Sequence, residues 1–448
     1  MRTGSGAISF VGLGYVGLCT ATVFAAKGIK IIGVDIDENR VSQLSKGIAP
    51  FHEPGLAPML KNALRKGRMR FTTDISEITR AETTFVTVGT PSNKDGSIDL
   101  TFVKKAMEGI GSAVSKSDGY RLVVVKSTVT PGTTAGIVQP ILAASSQKQI
   151  GEKLGLCSNP EFLAEGAAMK GTLRPDKIVI GGVDRLSGEK LFKLYKRVYT
   201  GKKIPTVITT PTTAEAIKYA SNTFLATRVS TINTIADICQ RLPDADVEVV
   251  ARAIGFDPRI GPLYLKAGPG YGGSCFHKDL QALIAFGKTL NYDPVLLSAV
   301  EEVNQRQAYE IIELAKKLVG TLENRRIAVL GLSFKKDTDD VRESPSLRLI
   351  DELVKNKASV AAYDPMAIEN TRKVLTQSVE FFDTSKSCLD DADCCVLMTE
   401  WDEFRKLKTK DFASVMKTPN IVDARRILDP RNVQGTNYLA VGLGSAKP

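Results

Sequence analysis

Few folds are compatible with the first 35 residues. Residues 7–11, Ala-Ile-Ser-Phe-Val, read as a strand and run directly into Gly12-Leu13-Gly14-Tyr15-Val16-Gly17. A helical stretch over 18–27 stops at Gly28, and a second strand over 30–34 ends in Asp35, 18 residues after Gly17. A strand, a Gly-x-Gly-x-x-Gly turn, a helix, a strand and then an acid is the pattern of a dinucleotide-binding βαβ unit. Gly12 permits the tight turn, Gly14 lets backbone approach a pyrophosphate, and Gly17 lets the helix pack on the strand. Free N–H groups at the helix start suit the phosphates. Asp35 would bind both ribose hydroxyls of NAD and repel the extra phosphate of NADP.

The same grammar continues. Strands over 84–88, 122–126 and 154–157 each run into small polar residues, Gly89-Thr90-Pro91, Ser127-Thr128-Val129 and Ser158-Asn159-Pro160. Ligands bind at such carboxyl ends in open parallel sheets. Another strand is read over 177–181. Residues 212–239 contain no Gly or Pro, so a helix of roughly 42 Å fits there. Ile217, Phe224, Thr231, Ile235 and Ile238 lie along one side of it and Leu225, Val229, Ile232 and Ala236 along another, which argues for a buried or interface helix. Helices over 247–254, 276–290 and 294–319 surround a glycine loop at 268–275. Strands over 326–330, 359–363, 393–398 and 420–422 then repeat the first unit's pattern without its glycine fingerprint. The expected fold class is α/β, with two Rossmann-like doubly wound domains joined by a long central helix. The expected boundaries are 1–205, 206–320 and 321–448.

Composition limits the chemistry. The chain has 448 residues and a formal charge of +11, which invites a nucleic acid, a membrane surface or phosphorylated small molecules as partners. The bases are spread along all three units with no arginine-rich tail, which weighs against nucleic acid. No apolar run reaches the ~20 residues of a membrane span. Residues 1–10 lack a basic-then-apolar leader, so a cytoplasmic protein is expected. Only two histidines are present, His52 and His277, so a multi-histidine metal site is excluded and no metal is expected. The seven cysteines form no Cys-x-x-Cys pair, which argues against a disulfide scaffold or zinc ribbon.

Cys275 differs from the other cysteines. It follows the glycine loop and opens a helix, whose dipole favours a thiolate. Asp279 lies four residues on, along the same helical face, suited to placing a water or proton near the sulfur. His277, two residues on, faces elsewhere. Lys218 and Asn222 are a second pair four apart, aiming a cation and an amide at one region where an oxyanion could develop. Glu161 and Glu165 are a third pair, for which the plain alternative is helix N-terminal acids. A dinucleotide fold with a cysteine nucleophile implies oxidation of an alcohol to an aldehyde, its capture as a thiohemiacetal, oxidation to a thioester and hydrolysis to an acid.

These motifs closely resemble the UDP-glucose/GDP-mannose dehydrogenase family, in order and over nearly the whole chain. They include Gly89-Thr90-Pro91, Ser127-Thr128-Val129-Thr130-Pro131-Gly132-Thr133, Asn159-Pro160-Glu161-Phe162-Leu163, Lys218-x-x-x-Asn222, Gly272-Gly273-Ser274-Cys275-Phe276-x-Lys278-Asp279 and Phe334-Lys335-x-x-Thr338-x-Asp340-x-Arg342. The resemblance implies NAD as cofactor, UDP-glucose as substrate and a homodimer formed through the central helix. It makes Cys275 the nucleophile and Lys218 the oxyanion partner. Asn222 and Asp279 would hold a catalytic water, Glu161 would act in thioester hydrolysis, and Thr128 would assist that water. The implied NAD contacts are Gly12, Gly14, Tyr15, Val16, Gly17, Asp35 and Arg40, with Thr90, Thr128, Glu165, Lys278 and Arg342. The nucleotide sugar would meet Glu161, Phe162, Leu163, Lys218 and Asn222. It would also meet Tyr264, Leu265, Lys266, Ala267, Gly268 and Gly272, then Phe334, Lys335 and Arg425. Arg259 would reach it from the partner subunit. Oxidation of GDP-mannose is the neighbouring alternative, and a catalytically inactive nucleotide- or nucleic-acid-binding protein is the alternative of another class. Three positions depart from the family pattern: Ala164 where arginine is common, His277 where Pro or Gln is usual, and Thr234 where glutamate is frequent.

Overall fold

A computed structural model of the chain describes residues 6–445; residues 1–5, half of the stretch read for a leader, and 446–448 lie outside the described residues. By contacts the chain divides between Ser221 and Asn222, inside a helix, into two compact units.

The first unit holds eight strands: β1 (Ala7–Val11), β2 (Ile31–Val34), β3 (Met69–Thr72), β4 (Ala81–Val86), β5 (Arg121–Val125), β6 (Leu154–Ser158), β7 (Ile178–Gly182) and β8 (Thr206–Thr209). Their order is β3-β2-β1-β4-β5-β6-β7-β8. The strand order, not the strand direction, reverses at the β1/β4 junction, where open α/β sheets form their ligand crevice. Apolar residues fill both faces, as parallel sheets require: Phe10, Phe85, Leu122 and Val124 enter one core, and Val11, Val86, Val123 and Val125 the other. Phe10 stacks on Phe85 with centroids 5.0 Å apart. All neighbours are parallel except β6 and β7, which pair antiparallel. The connecting segment 159–177 therefore stays at the carboxyl edge of the sheet instead of crossing it. Helix Tyr15–Ala26 begins inside the glycine motif, three residues before the expected start at 18, because the turn's N–H groups already belong to its first turn. Strand β3 is only four residues long (Met-Arg-Phe-Thr), too short for its alternation to mark a strand in the sequence.

Helix Pro211–Cys239, 29 residues long, runs from the first unit into the second. The second unit adds helices Val247–Gly255, Phe276–Thr289 and Val295–Val319. A six-stranded sheet follows: β9 (Arg326–Leu330), β10 (Ser359–Tyr363), β11 (Glu380–Phe381), β12 (Cys394–Leu397), β13 (Asn420–Asp423) and β14 (Asn437–Ala440), ordered β11-β10-β9-β12-β13-β14. Every pair in it is parallel. Asp364, after β10, stands where Asp35 stands after β2. Its carboxylate accepts from the Leu332, Ser333, Met366 and Ala367 backbone N–H groups and from Trp401 Nε1. It is committed to holding its turn, which accounts for a second Rossmann-like sheet without a glycine fingerprint. Among the described residues no helix is long and apolar enough to cross a membrane.

Candidate active site

In the first unit the glycine turn has the shape the sequence requires. Gly12 has φ +93°, and a Cβ there would lie 2.7 Å from Val88 N. A Cβ on Gly17 would lie 2.1 Å from the Gly12 carbonyl, whereas one on Gly14 would meet nothing within 4 Å. The open face at Gly14, beside a helix N-terminus, fits a pyrophosphate. The Thr87 hydroxyl donates to the Gly12 carbonyl (2.6 Å), bracing the turn from β4's end. Asp35 accepts from Leu13 N (2.7 Å), Asp37 N (3.1 Å) and Arg40 Nη1 (3.0 Å). Those bonds fill three of roughly four acceptor positions, so a ribose taking both hydroxyl bonds would displace the partly exposed Arg40. These residues fit a dinucleotide.

The sequence did not point to Glu53. It is buried and accepts from the Tyr15 hydroxyl, Gly166 N (2.7 Å) and Met169 N (3.3 Å). It thereby ties the glycine turn to the loop that carries Glu161 and Glu165. That loop is not helical; the next helix starts at Ala168, so the reading of the two acids as helix N-terminal residues falls. Instead Glu161 accepts from Leu163 N (2.5 Å) and from Lys218 Nζ (2.7 Å), with both side chains almost fully buried. Burial alone would raise the Glu161 carboxyl. The charge and hydrogen bond of Lys218, the Leu163 N–H and the charge of Lys126 reverse that and hold it below its ordinary value. The Phe162 ring lies under Lys177 (4.1 Å) and Lys218 (5.8 Å). Thr90 and Thr128 follow β4 and β5 at the same edge of the sheet, so the expected residues of this unit gather where β1, β2, β4, β5 and β6 end.

In the second unit Cys275 is the N-cap of helix Phe276–Thr289 and the one cysteine of the seven that is not buried. Gly273 before it has φ +81°, and its Cβ position lies 2.8 Å from the Phe334 ring; that of Gly272 lies 2.5 Å from the Glu343 carbonyl. Only glycines let the loop pass. One turn into the helix Asp279 is buried, accepting from Asn222 Nδ2 (2.6 Å) and Lys278 Nζ (3.0 Å). Lys218 and Asn222 are thus one turn apart on the long helix, and each is paired with a buried carboxylate, Glu161 and Asp279. His277 turns away to Glu301 (2.7 Å).

A further group gathers where β12 and β13 end. Arg425 donates to the Phe334 carbonyl (2.9 Å) and the Met398 carbonyl (2.9 Å) and pairs with Glu400 (3.4 Å). Lys335 lies 5.3 Å from the Phe334 ring centroid. Burial lowers the Lys266 ammonium, with Glu400 opposing and Arg405 and Arg425 adding. Three cations against one carboxylate suit a diphosphate. Glu400 and Arg405 were missed in the sequence, where they look like surface charges around Trp401. Gly268 lies against Arg425 and donates its N–H to Asn233 (2.9 Å). Leu265 and Ala267 are buried, and Tyr264, at φ +61°, packs its ring 6.2 Å from Phe276. Arg342 and Arg259 each fork onto an acid two residues earlier, Asp340 and Asp257. Arg259 is 87 % exposed. Among the described residues no three His, Cys, Asp or Glu side chains converge as a metal site requires.

This chain resembles known proteins over nearly its whole length. It matches three domains of the UDP-glucose/GDP-mannose dehydrogenase family: the NAD binding domain over residues 6–199, the central domain over 212–306 and the UDP binding domain over 328–430. It is 40 % identical to UDP-glucose 6-dehydrogenase AglM of Haloferax volcanii over 432 residues, 96 % of this chain and 99 % of that one. It is 38 % identical to UDP-glucose 6-dehydrogenase TuaD of Bacillus subtilis over 438 residues, 98 % and 93 % of the two chains. The solved structure of a UDP-glucose dehydrogenase from the hyperthermophilic archaeon Pyrobaculum islandicum superposes with a TM-score of 0.90 at 36 % identity, covering 99 % of each chain.

Proposed function

Since the chain belongs to the UDP-glucose/GDP-mannose dehydrogenase family and is an NAD-dependent dehydrogenase, we propose that it oxidises UDP-glucose by four electrons to UDP-glucuronate through covalent intermediates on Cys275. The observation that carries this reading is Cys275 itself. It is the sole unburied cysteine, at a helix N-terminus behind a left-handed glycine, one turn from the Asn222–Asp279 pair.

NAD, when bound, accepts a hydride at each oxidation. The protein residues do the rest. The C6 hydroxyl gives its proton to solvent and the C6 carbon loses a hydride, leaving an aldehyde. The Cys275 thiolate adds to that carbonyl carbon, forming a C–S bond, and Lys218 faces the oxyanion so produced. Loss of a second hydride converts the thiohemiacetal to a thioester. Water, positioned by Asn222, Asp279 and Thr128, gives a proton to Glu161 and attacks the thioester carbon. The C–S bond breaks and its electron pair returns to sulfur. The balance is alcohol plus water plus two NAD⁺ giving carboxylate, two NADH and three protons.

Gly12, Gly14, Tyr15, Val16, Gly17, Asp35, Arg40, Thr90, Thr128, Glu165, Lys278 and Arg342 would serve NAD. Phe162, Leu163, the segment from Tyr264 to Gly268, Gly272, Phe334, Lys335 and Arg425 would serve the nucleotide sugar. The division into 1–205, 206–320 and 321–448 goes with this reading, as does a homodimer in which Arg259 crosses to the partner. A reducing, cytoplasmic setting agrees with seven cysteines of which none forms a disulfide. Purified protein given UDP-glucose and NAD is expected to form about two NADH per sugar consumed, while Cys275→Ser forms no acid. Turnover of GDP-mannose in preference would reassign the substrate. Unimpaired acid formation by Cys275→Ser would remove the nucleophile.

A further inference from the structure

Lys126 closes β5 and is buried, 7 % exposed. Its ammonium donates to Asn159 Oδ1 (3.1 Å) and to the Asn159 carbonyl (3.4 Å). Asn159 is itself fixed. Its backbone N–H donates to the Val125 carbonyl (2.8 Å), its side-chain amide to the Val179 carbonyl (2.7 Å), and its Oδ1 also accepts from the Tyr195 hydroxyl (2.5 Å). Among the described residues no carboxylate lies within ion-pair distance, 4.0 Å, of Lys126. Buried lysines are rarely left without one. The buried carboxylate its charge reaches is Glu161, two residues beyond Asn159 and already hydrogen-bonded to Lys218 at 2.7 Å.

The geometry points to Lys126 as a positioning residue for thioester hydrolysis, a second and immobile cation that keeps Glu161 ionised while Lys218 turns to the oxyanion. The inference rests on the reading of the site given above. Lys218 cannot bond Glu161 and neutralise an oxyanion on the substrate with its full strength at once. As it turns, a carboxylate this deep would take up a proton and cease to be a base. Lys126, held on Asn159, does not follow Lys218 and remains. The groups around Glu161 are then Lys126 from β5, Lys218 from the long helix and the Leu163 N–H from its own loop. Lys177, before β7, is bonded to Ser221 (3.0 Å) and repels Lys218. Burial draws the Lys126 ammonium down to about 8, with Glu161 opposing and Lys218 adding, so near neutral pH it is charged. The hydrolytic step is the one written above: Glu161 takes the proton of the attacking water, and sulfur leaves with its electron pair.

Two variants test this. Lys126→Met removes charge and hydrogen bond; Lys126→Gln removes the charge and keeps a donor for Asn159. With saturating UDP-glucose and NAD, kcat is followed from about pH 5.5 to about pH 9. Both variants are expected to move the acid limb up by about one unit, a roughly tenfold loss of kcat on that limb, with KM for both substrates unchanged. Acid quenching followed by intact-mass measurement should show the thioester accumulating on Cys275. Profiles that superimpose on the wild type, or a normal profile for Lys126→Gln alone, would overturn the role of charge. Loss of fold in both variants, seen by circular dichroism, would make the lysine structural and equally overturn it. A wild-type protein that does not oxidise UDP-glucose at all refutes the functional reading instead, so the two failures are distinct.

Discussion

His277 illustrates what one residue contributes beside the nucleophile. It is bonded to Glu301 (2.7 Å), which also accepts from Tyr271 (3.2 Å) and Gln305 (2.8 Å). The imidazole is pushed above its ordinary value, chiefly by the Glu301 hydrogen bond; burial opposes, the charges of Glu301 and Glu343 add, and Arg348 subtracts. A raised folded value stabilises the charged form. The contribution is therefore complete below about pH 6.5 and is lost as pH rises through the folded value. His277→Gln keeps a neutral donor and loses the charge. Its thermal midpoint should fall about 2 °C below wild type at acid pH and converge with it at alkaline pH. A gap independent of pH would mean that packing, not charge, holds the pair. Cys275 was legible in the sequence because its glycine loop and helix start are local. Glu53, Glu400 and Lys126 were not, because their meaning lies in partners brought together by the sheet. A lysine ending the apolar run Leu-Val-Val-Val was the one available hint of Lys126.

Elements explain which part of the fold could be read. The βαβ opening was plain, since glycine spacing and apolar strands are both local patterns. Strand order and the antiparallel β6–β7 pair were hidden, since a buried strand's sequence does not state its neighbour or direction. The two glycines of the opening turn separate fold from function. In Gly12→Ala the new methyl would lie 2.7 Å from backbone at φ +93°, so both stability and NAD binding should fall, the latter more than tenfold. In Gly14→Ala the methyl meets nothing of the protein within 4 Å but stands where the pyrophosphate approaches. Its thermal midpoint should match wild type while NAD affinity, measured by calorimetry, drops about tenfold or more. Equal NAD affinity in Gly14→Ala would move the cofactor off this turn.

The charge of the whole molecule, +11, takes on a definite form in the two units. In the first, Lys126 and Lys218 act on one buried carboxylate, Glu161, and Lys177 acts on Lys218; in the second, Lys266, Arg405 and Arg425 gather near Glu400. Both groups stand at carboxyl ends of parallel strands, which suits small anions better than a nucleic-acid face. The contact division at Ser221 falls within a helix, so composition leaves no mark of it. The long helix also exposes an apolar stripe. Phe224 is 65 % exposed and Ile238 51 %, and with Ile217 and Thr231 they recur every seven residues along helix Pro211–Cys239. A stripe at that period is the pattern of a helix that packs against another. A second copy of this chain is the occupant that the proposed homodimer supplies. The double variant Phe224→Asp/Ile238→Asp places charge in the stripe and should sediment as a monomer where the wild type sediments as a dimer. If Arg259 serves the partner's sugar nucleotide, the monomer should show a raised KM for UDP-glucose with unchanged NAD affinity. A double variant that remains dimeric would place the interface elsewhere. A monomer with an unchanged KM would keep the interface on this helix and confine Arg259 to its own subunit.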